Sequence, residues 1–132
     1  MTIDDCKNEG KGIAFDADVL INMKQGRYPE GLLLQIPISH RFTTVINAFE
    51  FLRGEGDGED WMRDKRIRII PISKQASETF WSLFKAGESE EGGLADWLTA
   101  ATVIANRFAL ATANVRHFEN IRKLPYVQEF AP

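Results

Sequence analysis

Acidic side chains follow or open short apolar segments at several points of the chain. Asp16 ends the apolar run at residues 13–15, and Asp18 stands at the start of a second apolar run. Glu50 and Asp96 lie near the beginning of segments with helix-like apolar spacing. Ligands of open α/β sheets bind at the carboxyl ends of the strands, so acids in these places predict one shared site.

The chemistry of such a site would be that of a hard divalent cation. Separated carboxylates repel one another, and Mg²⁺ neutralises that repulsion. A magnesium ion held by a few carboxylates and waters can activate a water molecule for phosphodiester hydrolysis. Thr112 and Asn114 follow a later apolar segment and would complete the rim, although an asparagine there is also typical of a helix cap.

Each acid also has an ordinary structural explanation. Asp16 can cap the helix that follows it, and Asp18 and Asp96 can interact favourably with helix dipoles from a first turn. Asn47 with Glu50 three residues later resembles a capping box, which would account for the glutamate fully. Taken singly, no acid of the chain establishes catalysis.

Hydrophobic spacing predicts strands that alternate with helices, which is typical of a parallel sheet covered on both faces. Ser73 and Gly87 fit the start and end of one helix. Residues 88–93 form a charged link between two helices. Strands are expected at 13–15, 42–46, 67–72 and 109–112 with an edge strand at 126–130, and helices at 19–24, 29–35, 47–54, 61–65, 74–87, 94–108 and 114–119.

Composition indicates an ordinary globular protein of one domain. The chain has 132 residues and a formal net charge of −3, which neither indicates nor excludes nucleic-acid binding. Cys6 is the single cysteine, so no intrachain disulfide can form, and a reducing cytoplasm is expected. No apolar run reaches the roughly 18 residues of a membrane span. We expect a flexible arm at 1–12 and the domain at 13–132.

Basic residues cluster at Arg63, Lys65, Arg66 and Arg68. Charge runs of this kind are usually solvated surface, and that explanation is favoured here. If the cluster flanked the acidic rim, it would instead hold the phosphates of an RNA substrate, together with Arg116. The aromatic residues at 80, 81 and 84 share one helix face and predict a core contact or a dimer face.

Four segments, in order and in register, resemble the motifs of PIN-domain nucleases, including VapC-type toxins. The first is an apolar strand, an Asp and a Val-Leu-Ile run, and the second is a Glu followed by an apolar pair, an arginine and a Gly. The third is an Asp that enters an alanine-rich helix, and the fourth is a strand ending in Thr, then Asn and Phe. The segments read IAFDADVLI at 13–21, VINAFEFLRG at 45–54, LADWLTAAT at 94–102 and ALATANVRHF at 109–118.

The resemblance implies a three-layer α/β/α sandwich around a mostly parallel sheet of four to five strands. It implies that Asp16, Glu50 and Asp96 are the catalytic metal ligands, with Thr112 and Asn114 on the rim. The supporting rim would also include Asp18 and Asn47. The implied activity is Mg²⁺- or Mn²⁺-dependent hydrolysis of RNA by a homodimeric toxin that pairs with an antitoxin protein.

The sequence departs from the family pattern at three positions. Asp18 stands where the family most often has Asn, which adds a negative charge. His117 stands where many members have Asp, and Asn114 where others have Asp, so the fourth acid is missing. Whether the site takes one metal ion or two is therefore open.

Two other hypotheses fit parts of the sequence. Asp16-Ala17-Asp18-Val19 matches the DxDx(T/V) loop of aspartyl-phosphate hydrolases, in which the first Asp is the nucleophile and the second the general acid. That fold normally needs a longer chain and a later lysine with an acidic pair. Alternatively, a PIN-like scaffold with a reduced acid set would only bind RNA or a protein.

Overall fold

A four-stranded parallel sheet with helices on both faces forms the centre of the protein. The computed structural model describes residues 1–87 and 93–132. The strands are β1 Ile13–Phe15, β2 Arg41–Thr44, β3 Arg68–Ile70 and β4 Ala109–Ala111, in the spatial order β3-β2-β1-β4. The helices are α1 Ile3–Asn8, α2 Ala17–Lys24, α3 Val45–Gly54, α4 Gly58–Asp64, α5 Lys74–Ala86 and α6 Leu94–Ala105.

The predicted three-layer α/β/α sandwich is confirmed, and every pair in the sheet is parallel. β1 pairs with β2 on one side and β4 on the other. Its side chains alternate between the faces, as strand geometry requires. Ile13 and Phe15 belong to one buried cluster, and Ala14 to a second cluster with Leu83 and Leu110.

The residue that caps α3 is Thr44, and not Asn47 as the sequence predicted. The Thr44 side chain accepts a hydrogen bond from the backbone N–H of Asn47 at 3.2 Å. β2 ends at Thr44, and the helix follows without an intervening loop. Glu50 therefore lies in the second turn of α3, where it cannot close a capping box with Asn47.

The expected flexible arm at 1–12 is instead a helix packed into the core. Thr2 and Asp5 form a capping box at the start of α1. Ile3 and Cys6 are completely buried in the same cluster as Phe15. Glu129 accepts hydrogen bonds from the backbone N–H of Ile3, which joins the two ends of the chain.

The helix predicted at 29–35 is only a 3₁₀ turn, Leu33–Gln35. The buried Arg41 guanidinium donates hydrogen bonds to the carbonyls of Leu33 and Ile36. Gly31 has a φ of +88°, which an α-helix does not tolerate. The chain is therefore folded around an arginine side chain in this region.

The edge strand predicted at 126–130 is a single parallel bridge between Leu110 and Tyr126, followed by the 3₁₀ turn Gln128–Phe130. Phe130 turns inward and packs edge-on against the rings of Phe15 and Tyr28. The short helix expected at 114–119 is the 3₁₀ turn Val115–His117.

Several other strands and helices differ in length from the predictions. The strands expected at 42–46, 67–72 and 109–112 and the helix expected at 94–108 each lose residues at an end, whereas the turn expected at 61–65 is the longer α4. Ser73 caps α5, and Gly87 ends it at a φ of +63°, both as predicted. Of the predicted link at 88–93, residues 88–92 lie outside the described residues. Within the described part of the chain, no helix is long and apolar enough to cross a bilayer.

The burial of α1 can be tested with Ile3→Ala. Removing a fully buried isoleucine side chain should lower the free energy of unfolding by about 2–4 kcal/mol. Urea denaturation measures this loss, and Asn8→Ala, on the exposed face of the same helix, is the control. Equal stability of the two variants would contradict the burial of α1 and support the predicted flexible arm at residues 1–12.

Candidate active site

Asp16 is buried at the carboxyl end of the central strand β1, with only 7% of its surface exposed. One carboxylate oxygen accepts the backbone N–H of Ala17 at 2.8 Å and so caps α2. The other accepts the Thr112 hydroxyl, also at 2.8 Å. Helix capping explains the hydrogen bond from Ala17. It explains neither the hydrogen bond from Thr112, just after β4, nor the burial of a charged side chain.

The buried side chain of Asn47 joins three helices. Its side-chain oxygen accepts the backbone N–H of Ala17 at 3.2 Å. Its amide nitrogen donates to the hydroxyls of Thr44 at 2.9 Å and Thr99 at 3.1 Å. The asparagine is 2% exposed, and both of its amide hydrogens have a partner. It therefore fixes the starts of α2 and α3 and the first half of α6 relative to one another.

Asp18 and Asp96 face the segment that follows β4. Asn114 donates its side-chain amide to the Asp18 carboxylate. His117 Nδ1 lies 3.1 Å from an oxygen of Asp96, which stands in the first turn of α6. The structure thus brings Asp18, Asn114 and Asp96 to the edge where Asp16 and Thr112 lie.

Burial and neighbouring carboxylates raise the pKa of two of the acids, Asp16 and Glu50. Burial raises the pKa of Asp16 to about 6, against the opposing hydrogen bonds from Thr112 and Ala17, and the charges of Asp18 and Asp96 add to the rise. Burial also raises the pKa of Glu50, and the charges of Asp96 and Asp18 raise it further. Bringing these carboxylates together therefore costs free energy in the absence of a cation.

The donor set fits a hard divalent cation by its chemistry, since carboxylate and hydroxyl oxygens are the ligands of Mg²⁺ and Mn²⁺. Within residues 1–87 and 93–132, no three Asp, Glu, His or Cys side chains are grouped closely enough to hold an ion by themselves. An open arrangement suits magnesium, which keeps several waters and binds through one or two carboxylates and substrate phosphates.

The basic cluster lies at the opposite edge of the sheet from the acids. The Lys65 carbonyl accepts a hydrogen bond from Arg41 at the start of β2, and Arg66 precedes the start of β3. Arg63 is paired with the acids Asp60 and Glu59 of its own helix. Because parallel strands begin at one edge and end at the other, this cluster cannot flank the acidic rim. Arg116, in the turn after β4, is exposed at the acidic edge.

Two site residues were not singled out as contacts from the sequence. His117 was noted only as a departure from the family pattern, yet it contacts Asp96. Thr99, one turn after Asp96 in α6, supports Asn47 from a buried position. The threonines at 99 and 102 in an otherwise alanine-rich buried helix were the available signal for this polar contact.

Chains in several solved complexes share this fold. A chain of a toxin-antitoxin complex from Klebsiella pneumoniae matches at a TM-score of 0.69 and 23% identity, over 92% of this chain and 100% of the other. A chain of VapBC-1 from nontypeable Haemophilus influenzae matches at 0.68 and 20%, over 89% and 97%. A chain of FitAcB from Neisseria gonorrhoeae matches at 0.67 and 16%, over 89% and 98%.

These likenesses establish a PIN-like fold of the kind found in VapBC and FitAB complexes. No protein-family model and no curated protein sequence matches the chain. The identities are low, so the chemistry of this chain is argued from the residues at its acidic edge.

The raised pKa of Asp16 predicts how stability depends on pH. The folded chain holds this proton up to about pH 6, whereas an unfolded chain releases it near 3.8. The folded state therefore binds more protons between these values, and stability falls as the pH rises through them, by roughly 2–3 kcal/mol from this group. Above about pH 6 the full cost of the buried charge is present.

Asp16→Asn should remove this dependence. Urea denaturation at pH 4 and pH 7 in EDTA should show a smaller loss of stability for the variant than for the native chain. Asp60→Asn, which removes an exposed carboxylate on α4, is the control and should retain the native dependence. An unaltered pH profile in Asp16→Asn would contradict the burial of a charge at this position.

Proposed function

We propose that the chain is a divalent-metal-dependent endoribonuclease that acts as the toxin of a toxin–antitoxin pair. The observation that supports this most directly is the convergence of Asp16, Asp18, Glu50 and Asp96 at the carboxyl edge of a PIN-like sheet. The charges of Asp18 and Asp96 raise the pKa of both Asp16, which is buried, and Glu50. This arrangement is expensive for the fold, and phosphodiester hydrolysis assisted by a cation gives the acids a use.

In the proposed mechanism, Asp16, Glu50 and Asp96 would hold the ion together with waters and a phosphate of the substrate, because the three carboxylates are not grouped closely enough to hold it by themselves. When bound, Mg²⁺ or Mn²⁺ would lower the pKa of a water molecule and balance charge on the phosphate. Thr112 and the backbone of Ala17 fix the Asp16 carboxylate by two hydrogen bonds, so this group needs little reorganisation. Arg116 would contact the phosphates of the RNA near the site.

The loss of the capping-box explanation strengthens the role of Glu50. The residue lies in the second turn of α3, it is half-buried, and the charges of Asp18 and Asp96 raise its pKa. Glu50 is therefore proposed as a member of the metal-binding set.

Binding to an antitoxin protein and formation of a homodimer are also part of the proposal. The complex from Klebsiella pneumoniae is a toxin-antitoxin complex, and this chain covers the whole of its matched chain. Trp81 and Phe84 are more than half exposed on α5, and Leu94 is exposed at the start of α6. These apolar side chains would be covered in a dimer. A cytoplasmic location, where RNA and an antitoxin are available, stays a prediction.

The aspartyl-phosphate hypothesis has less support. Both oxygens of Asp16 accept hydrogen bonds, and the sheet matches chains of toxin-antitoxin complexes over most of their length. The non-enzymatic scaffold remains a distinct alternative because His117 and Asn114 replace acids of the family pattern. Absence of saturable Mn²⁺ binding together with absence of RNA cleavage would favour the scaffold.

Glu50→Gln and Asp96→Asn should each reduce Mn²⁺-dependent cleavage of single-stranded RNA by a factor on the order of 100 or more, because each removes one charge from the site. Circular dichroism should show that both variants remain folded. Glu59→Gln, on the exposed face of α4, is the matched control and should cleave normally. Native activity in both site variants would contradict the proposed metal-binding set.

The positions of the basic residues predict separate effects on RNA binding. Arg116→Ala should weaken binding and lower the slope of log K against log salt by about one, since one phosphate contact is lost. Arg66→Ala should leave both unchanged because this residue lies at the opposite edge of the sheet. Fluorescence anisotropy with labelled RNA in EDTA measures the affinity and its salt dependence. Weaker binding in Arg66→Ala than in Arg116→Ala would show that the basic cluster binds RNA.

A further inference from the structure

One short segment after β4 provides a hydrogen-bond donor to three different acids. The Thr112 hydroxyl donates to Asp16, the Asn114 amide to Asp18, and the His117 ring contacts Asp96 at 3.1 Å. The segment also braces itself, since the Asn114 backbone N–H donates to the Thr112 hydroxyl oxygen at 3.0 Å. All three side chains are neutral or cationic, so the segment supplies partners for carboxylates and no carboxylate of its own.

The contact between His117 and Asp96 has a defined direction. A carboxylate only accepts hydrogen bonds, so the hydrogen must be on Nδ1 of the histidine. Nε2 is then the nitrogen left to solvent, and the histidine side chain is 46% exposed. The ring thus spans from the turn Val115–His117 to the first turn of α6 and joins two elements that are 21 residues apart in sequence.

Asp96 has less support from its surroundings, apart from His117, than Asp16 has. Asp16 is held by a backbone N–H and a hydroxyl, whereas α6 begins at Gly93 without a side-chain cap. The Asp96 side chain is 26% exposed and stands near this uncapped helix end. A carboxylate in that position turns readily about its last torsion unless a donor fixes it.

We propose that His117 is a positioning residue whose Nδ1–H holds the Asp96 carboxylate in place for a divalent cation. The inference rests on the proposed function, in that it assumes a cation among Asp16, Glu50 and Asp96. Partners that orient metal-binding side chains typically affect metal affinity 10- to 100-fold.

Isothermal titration of the chain with Mn²⁺ tests the proposal. His117→Ala should weaken binding 10- to 100-fold relative to the native chain. His117→Asn keeps a donor near the position of Nδ1 and should restore most of the affinity, whereas His117→Leu removes the donor and should bind as weakly as His117→Ala. Glu119→Gln, exposed just beyond this turn, is the control and should bind as the native chain does.

The outcomes separate this inference from the proposed function. Native affinity in His117→Ala would overturn the inference and leave the nuclease intact. Absence of Mn²⁺ binding by the native chain would overturn both. If His117→Ala does not fold, as judged by circular dichroism, the comparison of His117→Asn with His117→Leu decides, because only the former retains a donor. Equal affinity in these two variants would then contradict the positioning role.

Discussion

The buried side chain of Asn47 is the contact on which the acidic edge depends. It accepts the N–H of Ala17 and donates to Thr44 and Thr99, so one amide ties α2, α3 and α6 together. A buried amide is costly unless its hydrogen-bonding groups are satisfied, and no small displacement of the three helices would preserve all of these contacts. The acids carried by these helices, at positions 16, 50 and 96, are therefore fixed relative to one another by a residue that need not touch a ligand.

The same arrangement places a charge where the fold would otherwise exclude one. Asp16 stands at the end of β1, which lies between β2 and β4 in the sheet. Burial raises the pKa of Asp16 to about 6. A fold optimised only for stability would have a neutral residue there. The hydrogen bonds from Thr112 and Ala17 offset part of the cost, and a bound cation would offset more.

Strand direction separates the two kinds of charge in this molecule. All four strands run in parallel, so helix starts and strand ends share one edge, while the basic residues before β3 share the other. This polarity agrees with the favoured interpretation of Arg63, Lys65 and Arg66 as solvated surface and argues against the alternative that they hold RNA phosphates beside the acids. Arg116 is distant from them in sequence and is exposed at the acidic edge.

The sequence by itself determined the layer order and the identity of the acids, because strand-then-helix periodicity and strand-end positions are local signals. Local signals also identified the Ser73 cap and the Gly87 end of α5. Tertiary structure alone decided the burial of α1, the cap at Thr44 and the loss of the edge strand. Each of these depends on a partner distant in sequence or on where a neighbouring strand ends: Glu129 for Ile3, the end of β2 for α3, and the aromatic contacts of Phe130 with Phe15 and Tyr28. The contact of His117 with Asp96 belongs to the same class, since only the packing of α6 beside the turn after β4 brings the two side chains within hydrogen-bond distance.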